Sequence, residues 1–541
     1  MKEFVAISVF LAAALAAQGA DGKCPQRWNN VGGDCSTDDG TLKLMVLLEK
    51  SKAAGCTHVL LPESHLCRLA EQKPAYFRNA ARLQASARAM GLTLVPAIVS
   101  VGDSGRYFHY DSNLAEGIPV RNMPYLVKGA EATPDPALAL DTGTMKTEGN
   151  VVSGAFKVKP FMLYRVSFEL AGAPGDPEDF VRVTSSGGKR WNSRSNPVTV
   201  KDGGKTVIMT IFNTLEGDEI NVRIAPGADG RIANLKIDPA GMLLILRRAR
   251  IPLTVTSEDG MTAYLEGEDF QKVEDPIVAA RPFPGDFPID HAAPTIRLTP
   301  DSKIKDGQKL LVSFWHHQRV YADQDCMSME DPAAWDVLEK EIGGTVKAWP
   351  TGNYFLSYNE IRVGGWEPMP DPGIKTPGQL LAWHFKKAYD LVRTNAPCAY
   401  VYTWSDMFTP GHNAYPFETK GYHYLVNGNW DGAWEGLPKD VVVMNWHSPD
   451  ATNVRFFADR GHSQVLCGYY DVKDAEAMKR NIRDWMTVSD GVPQVQGLMY
   501  TTKCNAYGNM KEYFQLLDSY DQWAAVSPAG EPAQREVRNA R

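Results

Sequence analysis

Two carboxylates stand where short apolar runs end, each beside residues that could support catalysis. Glu360 follows Asn359 after the run 354–356, and Asp406 follows Trp404 after a second run. Glycoside hydrolysis needs an acid that protonates the leaving oxygen, a group that stabilises a cationic ring carbon, and aromatic faces that hold the sugar. The pattern therefore predicts a glycoside hydrolase in which Glu360 is the general acid/base, Asn359 positions it or the substrate, and Asp406 is a further catalytic residue.

The same residues also have structural interpretations, which the sequence leaves open. Glu360 could pair with Arg362 in a salt bridge at the strand end, and Asp406 could cap a helix. If Tyr358 and Trp366 flank a buried Glu360, the apolar surroundings favour the protonated form that a general acid needs.

Further polar and aromatic residues follow apolar runs, and we predict that they bind substrate. They are Glu63, His65, His316, His317, Tyr358, Arg362, Trp366, Trp404, Trp446, Tyr470 and Tyr500. Asp103 also follows such a run, with Arg106 and His109 further along its loop. The sequence has no C-x-x-C pair, H-E-x-x-H motif, Walker loop or G-x-S-x-G elbow. We therefore predict neither a metal site nor a cofactor.

The apolar runs predict the elements that must position these side chains. Eight runs, mostly followed by amphipathic helical patterns, lie at residues 58–61, 92–99, 310–314, 354–356, 399–403, 441–444, 464–467 and 495–500. Apolar strands that alternate with helices indicate a buried parallel sheet, and eight repeats indicate an α/β fold of the (β/α)8 barrel type. Because such barrels carry their active sites at the carboxyl ends of the strands, the candidate residues should meet at one rim.

A segment of different character interrupts the barrel pattern. From about residue 122 to 240 the chain alternates with a period of two, as in 164–170 and 206–212, and Gly, Pro, Asp and Asn punctuate it. This predicts an all-β, jelly-roll-like sandwich inserted between barrel strands 2 and 3. The expected organisation is a signal peptide at 1–20, barrel at 21–120, inserted sandwich and β-rich return at 121–294, and barrel at 295–541.

Composition narrows the classes of partner. The chain has 541 residues, and Lys+Arg 57 against Asp+Glu 64 gives a net charge of −7 without a dense basic run. Nucleic acid is therefore an unsuitable partner, and the many tryptophans favour a carbohydrate. The oligomeric state is not indicated.

The first residues predict export. An apolar run from residue 4 to 17 precedes small residues suited to cleavage, and its length of about 14 residues is below the roughly 20 that span a bilayer. We expect an exported protein with no membrane span after signal cleavage. Of the eight cysteines, Cys24 and Cys35 could bridge a surface loop, whereas Cys467 and Cys504 are expected to be buried thiols.

Three segments together resemble a known family. Residues 354–361 (YFLSYNEI), 402–408 (YTWSDMF) and 441–447 (VVVMNWH) are similar to the β-N-acetylhexosaminidases of glycoside hydrolase family 20. The resemblance implies a TIM barrel in which an Asp-Glu pair ends strand 4. Carried over, Glu360 is the acid/base and Asn359 takes the place of the Asp that orients the substrate's 2-acetamido group. Asn359 can hydrogen-bond that group but supplies no negative charge.

Two other interpretations stay open beside that one. Retaining barrel glycosidases with a glutamate nucleophile also resemble this chain in their Asn-Glu pair at the end of strand 4, and they need a second carboxylate, for which Asp406 and Asp471 are the candidates. The Asn at position 359 would also suit a carbohydrate-binding barrel that has lost its chemistry.

Overall fold

The computed structural model describes residues 24–98, 101–172, 180–185, 194–195, 197–202, 204–227, 229–414, 424–472 and 474–524. The predicted signal peptide, residues 1–20, lies outside these residues. Among the helices in the described ranges, none is both long enough and apolar enough to cross a membrane.

Eight parallel strands close into a barrel and follow one another around it in chain order. They are β1 (Gln26–Asn30), β2 (His58–Leu61), β3 (Thr93–Ile98), β4 (Asn353–Leu356), β5 (Tyr400–Trp404), β6 (Val442–Asn445), β7 (Gln464–Tyr469) and β8 (Val495–Thr501). Pairing of β8 with β1 closes the ring. The predicted eight-stranded barrel is thus confirmed.

Apolar side chains fill the inside of the barrel, and helices cover its outside. Trp28, Val95, Phe355, Tyr402 and Met444 belong to the inner cluster. The helices are α1 (Asp38–Ala53), α2 (Pro74–Ala89), α3 (Pro332–Ala348), α4 (Pro377–Asn395), α5 (Ala451–Asp459), α6 (Ala475–Val488), α7 (Met510–Asp518) and α8 (Tyr520–Ala524). Short 3-10 helices span Leu66–Glu71, Tyr107–His109, Ser112–Leu114, Pro136–Leu138, Thr142–Thr144, Asp406–Phe408, Ala433–Gly436 and Tyr507–Asn509.

One predicted barrel strand lies elsewhere. The run 310–314 belongs to the strand Lys309–His316, which pairs antiparallel with Ile118–Lys128. Its residues alternate between buried and more exposed, as expected for a half-buried antiparallel strand. By contrast, every residue of β2 after His58 is buried.

The first barrel strand is one that the sequence prediction missed. β1 has the sequence QRWNN, and its single large apolar residue, Trp28, is fully buried. Asn29 is also fully buried, and its side-chain amide donates to Ser51 Oγ at 3.0 Å. Because β1 adds a strand before His58–Leu61, the inserted region lies between β3 and β4, and the prediction of an insertion between strands 2 and 3 is wrong.

The described residues of the insertion form three antiparallel sheets. One is formed by Val198–Asp202, Lys205–Asn213, Leu163–Ala171 and Arg231–Pro239, and another by Lys146–Glu148, Val151–Lys157, Glu219–Ile224 and Val181–Ser185. The third contains Ala263–Tyr264, Thr254–Ser257, Lys309–His316, Ile118–Lys128, Glu131–Pro134, Ile296–Arg297 and Ile245–Leu246. Outside the insertion, Val363–Gly364 pairs in parallel with Leu425–Val426.

A buried side chain links these sheets. Asn213 is fully buried, donates its amide to the carbonyl of Pro119 at 3.0 Å, and lies 3.3 Å from Nε2 of His316. It therefore joins a strand of the first sheet to two neighbouring strands of the third.

All eight cysteines lie within the described ranges and are in the thiol form. Cys24 and Cys35 are buried and do not form the surface bridge that their spacing suggested. Cys467 is buried on β7, as predicted, but Cys504 is exposed because it lies on the loop that follows β8.

Candidate active site

Backbone strain marks the carboxyl ends of three barrel strands. Glu360 after β4 has φ = 49°, His447 after β6 has φ = 86°, and Tyr469, Tyr470 and Asp471 at the end of β7 have φ = 82°, 49° and 59°. A non-glycine residue in the left-handed region costs of order 1–3 kcal/mol, and such residues cluster at functional sites. Several of the predicted site residues thus lie on backbone that the surroundings hold in an unfavourable conformation.

Glu360 is fixed by its backbone and reaches the barrel mouth with its side chain. Its N–H donates to Asp406 Oδ2 at 2.8 Å. On the other side Gly102 packs so closely that a Cβ there would lie 2.4 Å from the carbonyl oxygen of Asn359. The Glu360 side chain is 26% exposed, so it remains accessible while its main chain is held from two directions.

The carboxylate of Glu360 accepts from two partners. Oε1 lies 2.8 Å from Arg362 Nη2, and Oε2 accepts from Gln324 Nε2 at 2.6 Å. Arg362 also donates its Nε to Gln324 Oε1 at 2.7 Å. The salt bridge considered from the sequence is therefore present, and it lies within the candidate site.

Two tyrosine rings hold the guanidinium of Arg362. Its Cζ lies 4.7 Å from the ring centroids of both Tyr321 and Tyr424. Stacking against two rings, together with the bond to Gln324, leaves the guanidinium little freedom to leave Glu360.

Asp406 is fully buried, and its carboxylate accepts hydrogen bonds from three residues. Besides the Glu360 N–H, it accepts from Trp446 Nε1 at 2.9 Å and from Asn413 Nδ2 at 2.8 Å. Burial raises its pKa to about 6; the negative charge of Glu360 adds to the rise, and the three donors oppose it. Asp406 starts the 3-10 helix Asp406–Phe408, but its carboxylate does not cap that helix. It positions Glu360 and Trp446.

Aromatic side chains line the mouth beside these carboxylates. Trp404 and Trp446 are half-buried, pack on the inner barrel cluster, and have ring centroids 6.4 Å apart at an interplanar angle of 68°. Tyr470 is half-buried, and its hydroxyl oxygen accepts from the His447 N–H at 3.4 Å. Burial raises the pKa of Tyr470, and the negative charges of Asp406 and Glu360 contribute to the rise.

Asp103 is a further carboxylate that the sequence placed at the rim but did not select. Asp103 is exposed at the surface of this loop, and the protein packed around its carboxyl raises the pKa of that group. The negative charges of Asp323, Asp325 and Glu360 raise the pKa further, whereas Arg106 lowers it. The sequence feature that could have identified Asp103 is its position directly after Gly102, the residue that packs against the Glu360 loop.

Several predicted binding residues contact other residues of the barrel and its helices. Glu63 is 1% exposed, and its oxygens accept from Cys35 N at 3.0 Å, His65 N at 2.8 Å and Tyr76 Oη at 2.7 Å. His65 pairs with Glu63, whose hydrogen bond raises the imidazole pKa. Tyr500 is buried and stacks on Tyr469 with centroids 4.0 Å apart. These residues support the barrel wall.

Four further predicted residues, Tyr358, Trp366, His316 and His317, contact residues outside the Glu360 cluster. Tyr358 and Trp366 do not enclose Glu360: Tyr358 hydrogen-bonds His384 of α4 at 2.6 Å, and Trp366 donates its indole to the Leu425 carbonyl at 2.9 Å. His316 and His317 lie on the antiparallel sheet of the insertion or just beyond it, not on the barrel. His317 contacts Asp325 at 2.9 Å and so steadies the loop that carries Gln324.

Asp471 is occupied by the loop that follows β8. It accepts from the Thr502 hydroxyl, from Lys503 N at 2.7 Å and from Cys504 N at 3.1 Å. Partial burial raises its pKa, but these hydrogen bonds outweigh it and the pKa is lowered. Its carboxylate is therefore committed to structure.

Two groups of side chains within the described ranges could hold a metal ion. They are Asp34, Glu63 and His65, and Glu116, Glu330 and Glu367. Neither group contains Glu360, Asp406 or Asp103.

Comparisons with known proteins find only distant likeness. No protein-family model and no curated sequence matches the chain. Among solved structures, the rhamnosidase from Novosphingobium sp. PP1Y aligns at 10% identity with a TM-score of 0.31. The alignment covers 88% of this chain and 55% of the rhamnosidase chain. The chitobiase FjGH20 from Flavobacterium johnsoniae aligns at 10% identity with a TM-score of 0.23, covering 39% of this chain and 35% of its own. The chain thus spans about half the length of the rhamnosidase, and scores this low carry no argument about function.

Proposed function

We propose that this protein is a glycoside hydrolase that works at the mouth of its barrel. One observation carries the proposal: the accessible carboxylate of Glu360 lies on strained backbone whose N–H donates to Asp406, the residue that also binds Trp446. The loop that carries Asp103 packs against the Glu360 backbone through Gly102. Two carboxyl groups and flat apolar surfaces are what cleavage of a glycosidic bond requires. Backbone strain at the same place supports a functional site.

The surroundings of the two carboxyl groups suggest different roles for them. Glu360 accepts from Arg362 and Gln324, an arrangement that suits an ionised group facing the developing positive charge at the anomeric carbon. Asp103 has a raised pKa, as a general acid needs, and it would protonate the leaving oxygen. This division assigns to Asp103 the acid role that the sequence gave to Glu360.

The substrate in this proposal is an oligosaccharide or polysaccharide. Trp404 and Trp446 offer faces on which sugar rings stack. Asn359, next to Glu360, would orient a 2-acetamido group if the substrate carries one. The predicted signal peptide would bring the enzyme to glycans outside the cytoplasm, and amino-terminal sequencing of secreted protein should find a start near residue 21.

The leaving group distinguishes the acid from the other carboxylate. Aryl glycosides with and without a 2-acetamido group, bearing either dinitrophenol or a poor leaving group, are assayed with wild type, Asp103→Asn and Glu360→Gln. We expect Glu360→Gln to lose on the order of 1,000-fold in kcat/KM on all substrates. Asp103→Asn should lose a similar factor only with the poor leaving group, because dinitrophenol departs without a proton.

The controls and contrary outcomes are equally specific. Glu71→Gln, at an exposed carboxyl 3.3 Å from His109, should retain wild-type activity. If leaving-group dependence appears in Glu360→Gln instead, Glu360 is the acid. If wild type binds glycans by calorimetry but cleaves none of the panel, the hydrolase proposal is wrong and the barrel is a binding protein.

A further inference from the structure

Three glutamates from separate parts of the chain meet where the insertion joins the barrel. Glu116 precedes the strand Ile118–Lys128, Glu330 precedes α3, and Glu367 follows the strand Val363–Gly364. Their exposures are 1%, 1% and 4%. One carboxylate oxygen from each lies within 4.8 Å of the others.

Glu367 is held in place by its neighbours. Its Oε1 accepts from Gly117 N at 2.9 Å and from Arg248 Nη2, and its Oε2 accepts from the Ser328 hydroxyl at 3.0 Å. The same hydroxyl lies 3.4 Å from Glu330 Oε2. The orientation of Glu367 is therefore fixed by donors from three segments.

The other two glutamates each leave an oxygen without a donor. Glu116 Oε1 accepts from Trp366 N at 3.1 Å, but Glu116 Oε2 and Glu330 Oε1 are buried and receive no hydrogen bond from the described residues. Burial raises the pKa of both carboxyl groups, and without a bound cation one of them is protonated and hydrogen-bonds the other. Buried anionic oxygens in contact are strongly unfavourable unless a positive charge or a proton lies with them.

In the fully ionised state, the charges of the protein around these glutamates do not balance. Asp331, 5% exposed, adds a fourth carboxylate, and its Oδ2 lies 3.7 Å from Arg248 Nε. Four carboxylates and one guanidinium sum to −3 when all are ionised. A divalent cation would remove most of this excess.

The donor set and its spacing point to a hard cation. All three potential ligands are carboxylate oxygens, which calcium and magnesium prefer. Three atoms within 4.8 Å of one another share a point about 2.8 Å or less from each, which is close enough to coordinate one ion. Because Mg2+ gives up its water reluctantly and is seldom held by protein ligands alone, a buried set of carboxylates suits Ca2+ better.

We propose that Glu116, Glu330 and Glu367 bind one divalent cation of the calcium type, which ties the insertion to the barrel. The cation lies between the start of the insertion, the start of α3 and the segment that follows β4. Because Glu367 is on the same segment as Arg362, the cation also steadies the region that carries Glu360. This site is independent of the proposed hydrolysis.

Binding and stability measurements test the proposal without an activity assay. The full chain is stripped with EDTA, desalted, and titrated with CaCl2 or MgCl2 by calorimetry and by thermal melting. We expect one Ca2+ per chain, a rise in Tm of several degrees, and weaker binding of Mg2+. Glu330→Gln and Glu116→Gln should abolish both effects, whereas Asp34→Asn, in the other acidic group, should retain them.

Terbium provides a measurement on the wild type alone, should a variant fail to fold. Because Trp366 adjoins Glu116, excitation of tryptophan should sensitise bound Tb3+, and Ca2+ should displace it. If neither Ca2+ nor Tb3+ binds, a shared proton holds the carboxyl groups and the proposal is overturned. Binding that survives in Glu330→Gln and disappears in Asp34→Asn would overturn it too, by placing the ion at the other group.

Discussion

At the scale of single residues, Asp406 combines complete burial with three hydrogen-bond donors. Burial withdraws the water that would stabilise its charge, whereas Glu360 N, Trp446 and Asn413 partly replace it. Because the effect of burial on the pKa is larger than that of the hydrogen bonds, the pKa in the folded state is about 6, above the value of 3.8 for an exposed aspartate. Ionised Asp406 therefore lowers the free energy of unfolding relative to protonated Asp406.

That difference predicts a pH dependence of stability. A group whose folded pKa is raised stabilises the fold most at low pH, and this contribution is lost as pH rises from about 4 through 6. A shift of about 2 units corresponds to about 3 kcal/mol. We therefore expect the free energy of unfolding of wild type relative to Asp406→Asn to fall by about this amount between pH 4 and 7, in urea titrations at each pH.

Asp471 supplies a control of opposite sign. Its folded pKa is lowered, so its contribution is present above pH 4 and is lost as pH falls through the folded value. The stability of wild type relative to Asp471→Asn should therefore decrease on acidification. A wild-type to Asp406→Asn difference that stays constant from pH 4 to 7 would contradict the raised pKa.

At the scale of elements, the loop after β3 packs closely against the loop after β4 and restricts its backbone. A Cβ on Gly102 would lie 2.4 Å from the Asn359 carbonyl oxygen and 2.9 Å from the Glu360 carbonyl group. Gly102→Ala should therefore displace the Glu360 loop, cost about 1–3 kcal/mol of stability, and lower kcat on the order of 100-fold. Melting and aryl glycoside assays check both effects.

Gly105 in the same loop is the matched control. A Cβ there would meet no atom within 4 Å, so Gly105→Ala should keep both stability and kcat near wild type. Equal losses in the two variants would show that the loop needs glycine flexibility and would refute the close approach as the cause.

The elements also show how far the sequence could predict the fold. Strands buried on both sides, such as β6 and β7, have continuous apolar sequences and were found directly. β1 was missed because it contains a buried Asn29, whose amide donates to Ser51, a tertiary contact that no local pattern reveals. Lys309–His316 was mistaken for a barrel strand because its apolar residues fit either kind of sheet.

The candidate site was partly predictable for a related reason. The ends of β4 to β7 gave Glu360, Trp404, Asp406, Trp446 and Tyr470, because parallel strands bring their carboxyl ends to one rim. The sequence could not tell which way a residue points once the strand has ended. The Glu63 carboxylate accepts from Tyr76 of α2, and Asp103 follows Gly102, which packs against the Glu360 loop.

At the scale of the whole molecule, the fold is held together without disulfides. Six cysteines are buried and two, Cys398 and Cys504, are exposed. Burial raises the pKa of Cys56 and Cys67 to about 12, which suppresses the reactive thiolate. We expect Ellman's reagent to titrate two thiols rapidly in the native protein and eight after denaturation, with no change in Tm on adding reductant. Six thiols in the denatured protein would reveal one disulfide and contradict the structure.

The position of the insertion has a consequence for synthesis on the ribosome. β3 pairs with β4 in the finished barrel, yet residues 99–352 separate them in the chain. At about 5–20 residues per second, β4 emerges roughly 13–50 s after β3. Throughout that interval the nascent chain presents an apolar strand edge with no partner, the kind of edge at which chains aggregate. Slow growth and added chaperones should therefore raise the yield of this protein more than that of an uninterrupted barrel of equal length.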